Sequence, residues 1–106
     1  MVLEINNENL PNILTQKKIT LLQFSAKWCG PCKMLSPIVD TLRVENEGKD
    51  ISIYKIDIDD NQDLARKYNV RNIPTLLFLK GDNEVGRMVG MTAKSILQDK
   101  INELLE

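Results

Sequence analysis

A chain of 106 residues, 42% hydrophobic and 27% charged, has the size and make-up of one globular unit with a single core, expected to run from residue 1 to 106. Lys plus Arg number 14 and Asp plus Glu 15, so the net charge of −1 leaves no basic excess for phosphate contacts and argues against nucleic-acid binding. The opening MVLEINNEN has neither a cationic nor an apolar signal region, no apolar run approaches the roughly 18 residues of a membrane span, and two cysteines are too few for a disulfide-dense secreted scaffold, so a reducing, cytoplasmic setting is expected.

Along the chain, Val2 to Ile5 alternates weakly and predicts a short first strand. Asn9-Leu10-Pro11 predicts a helix start, because proline in the first turn lacks only a donor that would be orphaned anyway, and that helix should end near Gln16. Ile19 to Ala26 is a near-continuous apolar run of strand length, as expected of a strand covered on both faces. Met34, Leu35, Ile38, Leu42 and Val44 then recur at helical spacing up to Glu47-Gly48, with a kink expected at Pro37. Ile51 to Ile58 is rich in β-branched residues and predicts a third strand, after which Asp60 or Asn61 should cap a short helix through Tyr68. Thr75 to Leu79 and Glu84 to Val89, joined by Gly81-Asp82-Asn83, predict a hairpin. Thr92 should cap a final helix whose Ile96, Leu97, Ile101, Leu104 and Leu105 face the core. The order βαβαβαββα predicts an α/β fold with a mixed sheet and helices on both faces.

Both cysteines lie in LLQFSAKWCGPCKM, as Cys29 and Cys32, where a strand gives way to a helix. As a structural staple the pair would close a very short loop, for which chain entropy supplies only about 2 kcal/mol. As a metal clip it offers two of the four ligands a structural zinc needs, and the chain has no histidine and no third cysteine. A reversible redox pair fits better. Unpaired N–H groups and the positive end of the helix dipole stabilise a thiolate at Cys29, and the i, i+3 spacing puts Cys32 within bonding reach. Pro31 sits where no N–H is needed.

WCGPCK (Trp28 to Lys33), the preceding LLQFSA, the IDID run (Ile56 to Asp59), IPT (Ile73 to Thr75) and the late Val89-Gly90 together resemble the thioredoxin family, in the same order over essentially the whole chain. The resemblance implies a mixed five-stranded sheet flanked by four helices, in three α/β/α layers, and a disulfide reductase that binds no cofactor or metal. It implies that Cys29 attacks a substrate disulfide and Cys32 resolves the mixed disulfide, with Gly30 and Pro31 tuning the pair. A thioredoxin reductase, NADPH- or ferredoxin-linked, would recharge it, and the protein would act as a monomer on disulfide-containing proteins. It further implies a cis bond before Pro74, backbone docking of substrate at Ile73, and an apolar rim made by Trp28, Gly30, Pro31, Ile73, Pro74 and Gly90. The acids at 57, 59, 60 and 63 read as solvated caps and faces. Two other readings are a disulfide isomerase and a thioredoxin-like binding subunit of a larger complex.

The chain departs from the family at Gln23, where most members carry a buried aspartate thought to take the proton of the second cysteine, paired with a lysine that is here Lys55. An amide cannot serve as a carboxylate base. Expected consequences are slower resolution by Cys32, lower thiol pKa values and a more stable fold, or no consequence at all if Asp57 or solvent takes the proton. Ser25, where an aromatic is common, is a smaller departure.

Overall fold

The fold is built outward from β1 (Ile19–Ser25), whose sequence ITLLQFS is buried at every position, in the computed structural model that describes residues 2–106. A strand with no exposed face must have a neighbour on each side and a layer above and below. β1 pairs in parallel with β2 (Ile51–Asp57) and antiparallel with β3 (Thr75–Lys80), which forms a hairpin with β4 (Asn83–Val89). The sheet order is β2-β1-β3-β4.

Strand alternation then sorts the core into two faces. Ile19 and Leu21 of β1, with Leu76 and Phe78 of β3, pack under α2 (Gly30–Glu45) and α4 (Lys94–Leu105), which contribute Leu35, Val39, Leu42, Leu97 and Ile101. Leu22 and Phe24, with Leu77 and Leu79, pack under α1 (Leu10–Ile13) and α3 (Gln62–Lys67), which contribute Leu10, Ile13 and Leu64. The α/β/α layering expected from the sequence is therefore present, with four helices.

The expected fifth strand is not. Val2 to Ile5 makes a single parallel bridge, Glu4 to Lys55, in which the Ile5 N–H donates to the Lys55 carbonyl at 2.8 Å and the Lys55 N–H to the Leu3 carbonyl at 2.9 Å. Side-chain acceptors draw off the backbone on either side of that bridge. The Val2 N–H donates to Asp40 Oδ1 of α2, and the Asn6 and Asn9 carboxamides take N–H groups of their own turn. The sheet thus has four strands among the described residues.

Three helix details also differ from expectation. α1 stops at Ile13 rather than near Gln16, though Pro11 does occupy its first turn. α2 buries Cys32, Leu35, Val39 and Leu42 and packs half-buried Ile38 on the same core, whereas Met34 and Val44 of the expected stripe are exposed and Val39 lies inside it. α4 begins after Ala93, since the Thr92 hydroxyl contacts Met88 Sδ instead of capping, and Ile96 faces solvent. α3 does begin after Asn61, but that side chain makes no cap bond: its amide donates to the Asp57 carbonyl and its oxygen accepts the Asn7 N–H.

Two polar contacts fasten the periphery. Tyr68, just past α3, donates its hydroxyl to Asp82 Oδ1 in the hairpin turn at 2.6 Å; burial first, then this bond, push the phenol above its usual range, and the same bond holds Asp82 below the usual carboxylate range. At the other end, buried Asn46 exchanges amide hydrogen bonds of 2.7 and 2.9 Å with Gln98, joining the end of α2 to α4. Replacing Asn46 by Ala leaves Gln98 without its buried partner, so urea denaturation should show a loss of roughly 1–3 kcal/mol with disulfide exchange unchanged. An unchanged midpoint would mean that water replaces the amide at no cost.

Candidate functional site

β1 ends at Ser25, and Ala26, Lys27 and Trp28 carry the chain across the end of the sheet to Cys29. Cys29 is the N-cap of α2, with extended backbone (φ −87°, ψ 109°), and its N–H is held by the Ala26 carbonyl at 3.1 Å. The chain turns into the helix at Gly30 and Pro31, as the proline's fixed φ favours. Cys29 and Cys32 are disulfide-bonded with their Cα atoms 5.3 Å apart, and the Cys32 N–H donates to Cys29 Sγ at 3.2 Å. Sulfur thus occupies the place where a cap oxygen would stand, at the positive end of a 16-residue helix. That donor remains to stabilise a Cys29 thiolate once the disulfide opens. Both cysteines are largely buried, Cys29 at 5% and Cys32 at 2% exposure.

The surroundings on one side are apolar. Trp28 is 67% exposed, far from core filler, and its indole N–H is fixed by Asp59 Oδ2 at 2.8 Å. Half-buried Ile73 packs on the small cluster of Ala26, Cys29 and Cys32. The Ile73–Pro74 peptide bond is cis, and Pro74 itself is buried, so its side chain forms little of the outer rim. The Pro74 carbonyl accepts the Gly90 N–H at 2.8 Å, which draws the end of β4 against this loop. Gly90 has φ +88°, a conformation that a side chain would strain. Exposed Val89 and Met91 flank it and extend the apolar surface; Met91 was passed over in the sequence, where only its place after Gly90 signals it. Gly30 has no atom within 4 Å of where a Cβ would stand, so packing does not demand glycine there.

The other side is polar. Gln23 is wholly buried on the α2 face of β1, in register with Lys55 of β2. Its Nε2 donates to Ser36 Oγ at 3.3 Å, and Ser36 Oγ donates to the Cys32 carbonyl at 3.0 Å, while Gln23 Oε1 has no partner among the described residues. No hydrogen bond joins Gln23 to Lys55 among the described residues. Ser36 was not singled out in the sequence, though its place four residues after Cys32 puts it on the same helix face. Asp57 corrects an expectation. Rather than a solvated acid it is only 6% exposed, its Oδ1 accepts the N–H groups of Asp59 and Asp60 at 2.8 and 3.3 Å, and it lines a cleft of about 130 Å³ with Cys32, Ser36 and Lys55. Asp59, also expected to be merely solvated, holds the tryptophan.

No helix among the described residues is long and apolar enough to cross a membrane. The thioredoxin family model matches residues 1–103. A thioredoxin of Bacillus subtilis is 45% identical over 91 residues, 86% of each chain, and one of Haemophilus influenzae is 42% identical over 103 residues, 96% of this chain and 95% of that one. Among solved structures, a mutant thioredoxin from Halobacterium salinarum superposes with a TM-score of 0.86 at 36% identity, covering 100% of this chain and 90% of that chain.

Proposed function

Because the chain belongs to the thioredoxin family and is a thiol–disulfide oxidoreductase, we propose that it works as a general reductant of protein disulfides in the cytoplasm, as one domain and as a monomer. Its substrates are disulfide-containing proteins, and a reductase returns the pair to the dithiol. We take that reductase to be a thioredoxin reductase fed by NADPH or by ferredoxin. The observation that carries the reading is the Cys29–Cys32 pair at the start of α2, beside an exposed apolar surface centred on Trp28.

In this reading the Cys29 thiolate, held by the Cys32 N–H and the helix end, attacks one sulfur of an extended substrate disulfide. A Cys29–substrate bond forms and the other substrate sulfur leaves as thiolate. Cys32 then attacks Cys29, the mixed disulfide breaks, and the second substrate sulfur leaves reduced; two electrons have passed from the pair. Ile73, before Pro74, offers backbone to the bound segment, while Trp28 and Gly90 offer flat surface that selects no particular side chain. Gln23 and Lys55, with Gly30 and Pro31, set how readily the thiols ionise.

Equilibration with glutathione buffers tests the direction of electron flow. A pair more reducing than glutathione is the expected result; a clearly more oxidising one would replace the reductant by an isomerase. If a protein with both Cys29→Ser and Cys32→Ser kept its cellular role, a binding subunit would be the right description instead.

A further inference from the structure

Neither attack by Cys29 nor the docking of substrate uses the cleft on the polar side of the disulfide. Cys32 forms one wall and Asp57 another, and Gln23, the buried polar group on β1 behind α2, has no proton-accepting carboxylate. We propose that Asp57 is the proton acceptor for Cys32 during resolution of the mixed disulfide, acting through water in this cleft. The inference rests on the assignment of Cys32 as the resolving cysteine.

The geometry favours Asp57 over every other group there. Glu4, the other carboxylate on the cleft wall, is exposed at its mouth, whereas Asp57 is buried and fixed, its Oδ1 saturated by two backbone N–H groups. Oδ2 makes no hydrogen bond among the described residues. Ser36 is committed to the Cys32 carbonyl and to Gln23. The charged groups facing Asp57 are Lys55 on its own strand, Lys27 from the loop after β1, Lys33 from α2 and Glu4 from the N-terminal segment, with Asp60 across a second cleft that Asp57 also lines. Three lysines therefore line the cleft in which negative charge moves from carboxylate to sulfur.

The Cys32 S–H proton passes through water to Asp57, the Cys32 sulfur bonds to Cys29 Sγ, and the Cys29–substrate bond breaks. The substrate thiolate leaves with the electron pair and takes a proton from solvent, and Asp57 returns its own to solvent through the open cleft.

A stopped-flow reaction of the reduced protein with an aromatic disulfide that releases a coloured thiol separates the two steps, since attack releases one equivalent and resolution a second. Asp57→Asn keeps the acceptor for the Asp59 and Asp60 N–H groups but cannot take a proton. It should slow the second phase by at least about tenfold at neutral pH, less than a positioned base can contribute because water still acts, and should not slow the first phase, in which Cys32 gives up no proton. In the unsubstituted protein the first phase should weaken steadily on acidification with the Cys29 thiolate, whereas the second, in which a carboxylate takes the proton of a neutral Cys32 thiol, should hold its rate over the same change, which reads the same base should the variant not fold. A second phase of unchanged rate and pH profile, or equal slowing of both phases, would overturn the proposal. Cys32→Ser should abolish the second equivalent; if it does not, the assignment of the resolving cysteine has failed, and not the choice of base.

Discussion

Cys32→Ser should react with a protein disulfide once and then stop, accumulating a covalent complex through Cys29 that mass spectrometry reads as the sum of the two chains. Turnover should fall by at least about a thousandfold, because an external thiol at millimolar concentration replaces a neighbour whose effective concentration in a well-oriented intramolecular reaction exceeds it by many orders of magnitude. Cys29→Ser should form no complex. The two cysteines differ little in exposure, so burial does not assign their roles. What separates them is that Cys29 receives the Cys32 N–H at the helix end and adjoins the exposed Trp28, whereas Cys32 lies inside the first turn and faces the polar cleft. A trapped complex through Cys32 in the Cys29→Ser protein would reverse the assignment and remove the basis for a base on the cleft side.

The parts of this arrangement that are local in the chain were legible in the residues. A buried central strand shows itself as a near-continuous apolar run, a helix start shows itself in proline and the preceding cap, and two cysteines three apart are on one face whatever surrounds them. What was not legible depends on partners far away in sequence. The acids of the run Ile56-Asp57-Ile58-Asp59-Asp60 read as solvated caps and faces, yet Asp57 is buried against the α2 side and Asp59 holds an indole 31 residues upstream. Nothing in the spacing of the acids distinguishes these two from Asp60, which is exposed. The ends of the α2 stripe fail for a related reason: Leu35, Ile38 and Leu42 face the core as their spacing predicts, but Met34 and Val44 are apolar and lie outside it, which only the position of the sheet selects. At the N-terminus, strand-like alternation competes with asparagine side chains that cap nearby N–H groups, and the outcome is one bridge instead of a strand.

Gln23→Asp should move thiol ionisation, resolution and stability together. The side chain is wholly inside, so a carboxylate there is desolvated and its pKa raised above that of the unfolded chain. The sign follows from proton binding: between the unfolded and the folded pKa the native state holds the extra proton, so stability falls as pH rises through that window. Relative to the parent the variant should be near parity below about pH 4, the ordinary aspartate value, and weaker at neutral pH by about 1–3 kcal/mol. The loss is limited because Gln23 itself leaves Oε1 without a partner, an existing cost that the substitution removes. Lys55, in register on β2, can approach the new charge and limit the loss further. At the same time the charge should raise both thiol pKa values, lowering the thiolate fraction of Cys29 at neutral pH, yet give Cys32 a second proton acceptor from the β1 side. Attack should therefore slow while resolution quickens, a split that ultraviolet thiolate titration and the two-phase release of coloured thiol record separately. If Asp57 is the parent's acceptor, the double variant with Asp57→Asn should recover most of the resolution rate that Asp57→Asn alone loses. Should titration, both phases and the urea midpoint all stay where they are, Gln23 would be no more than a neutral filler between β1 and α2.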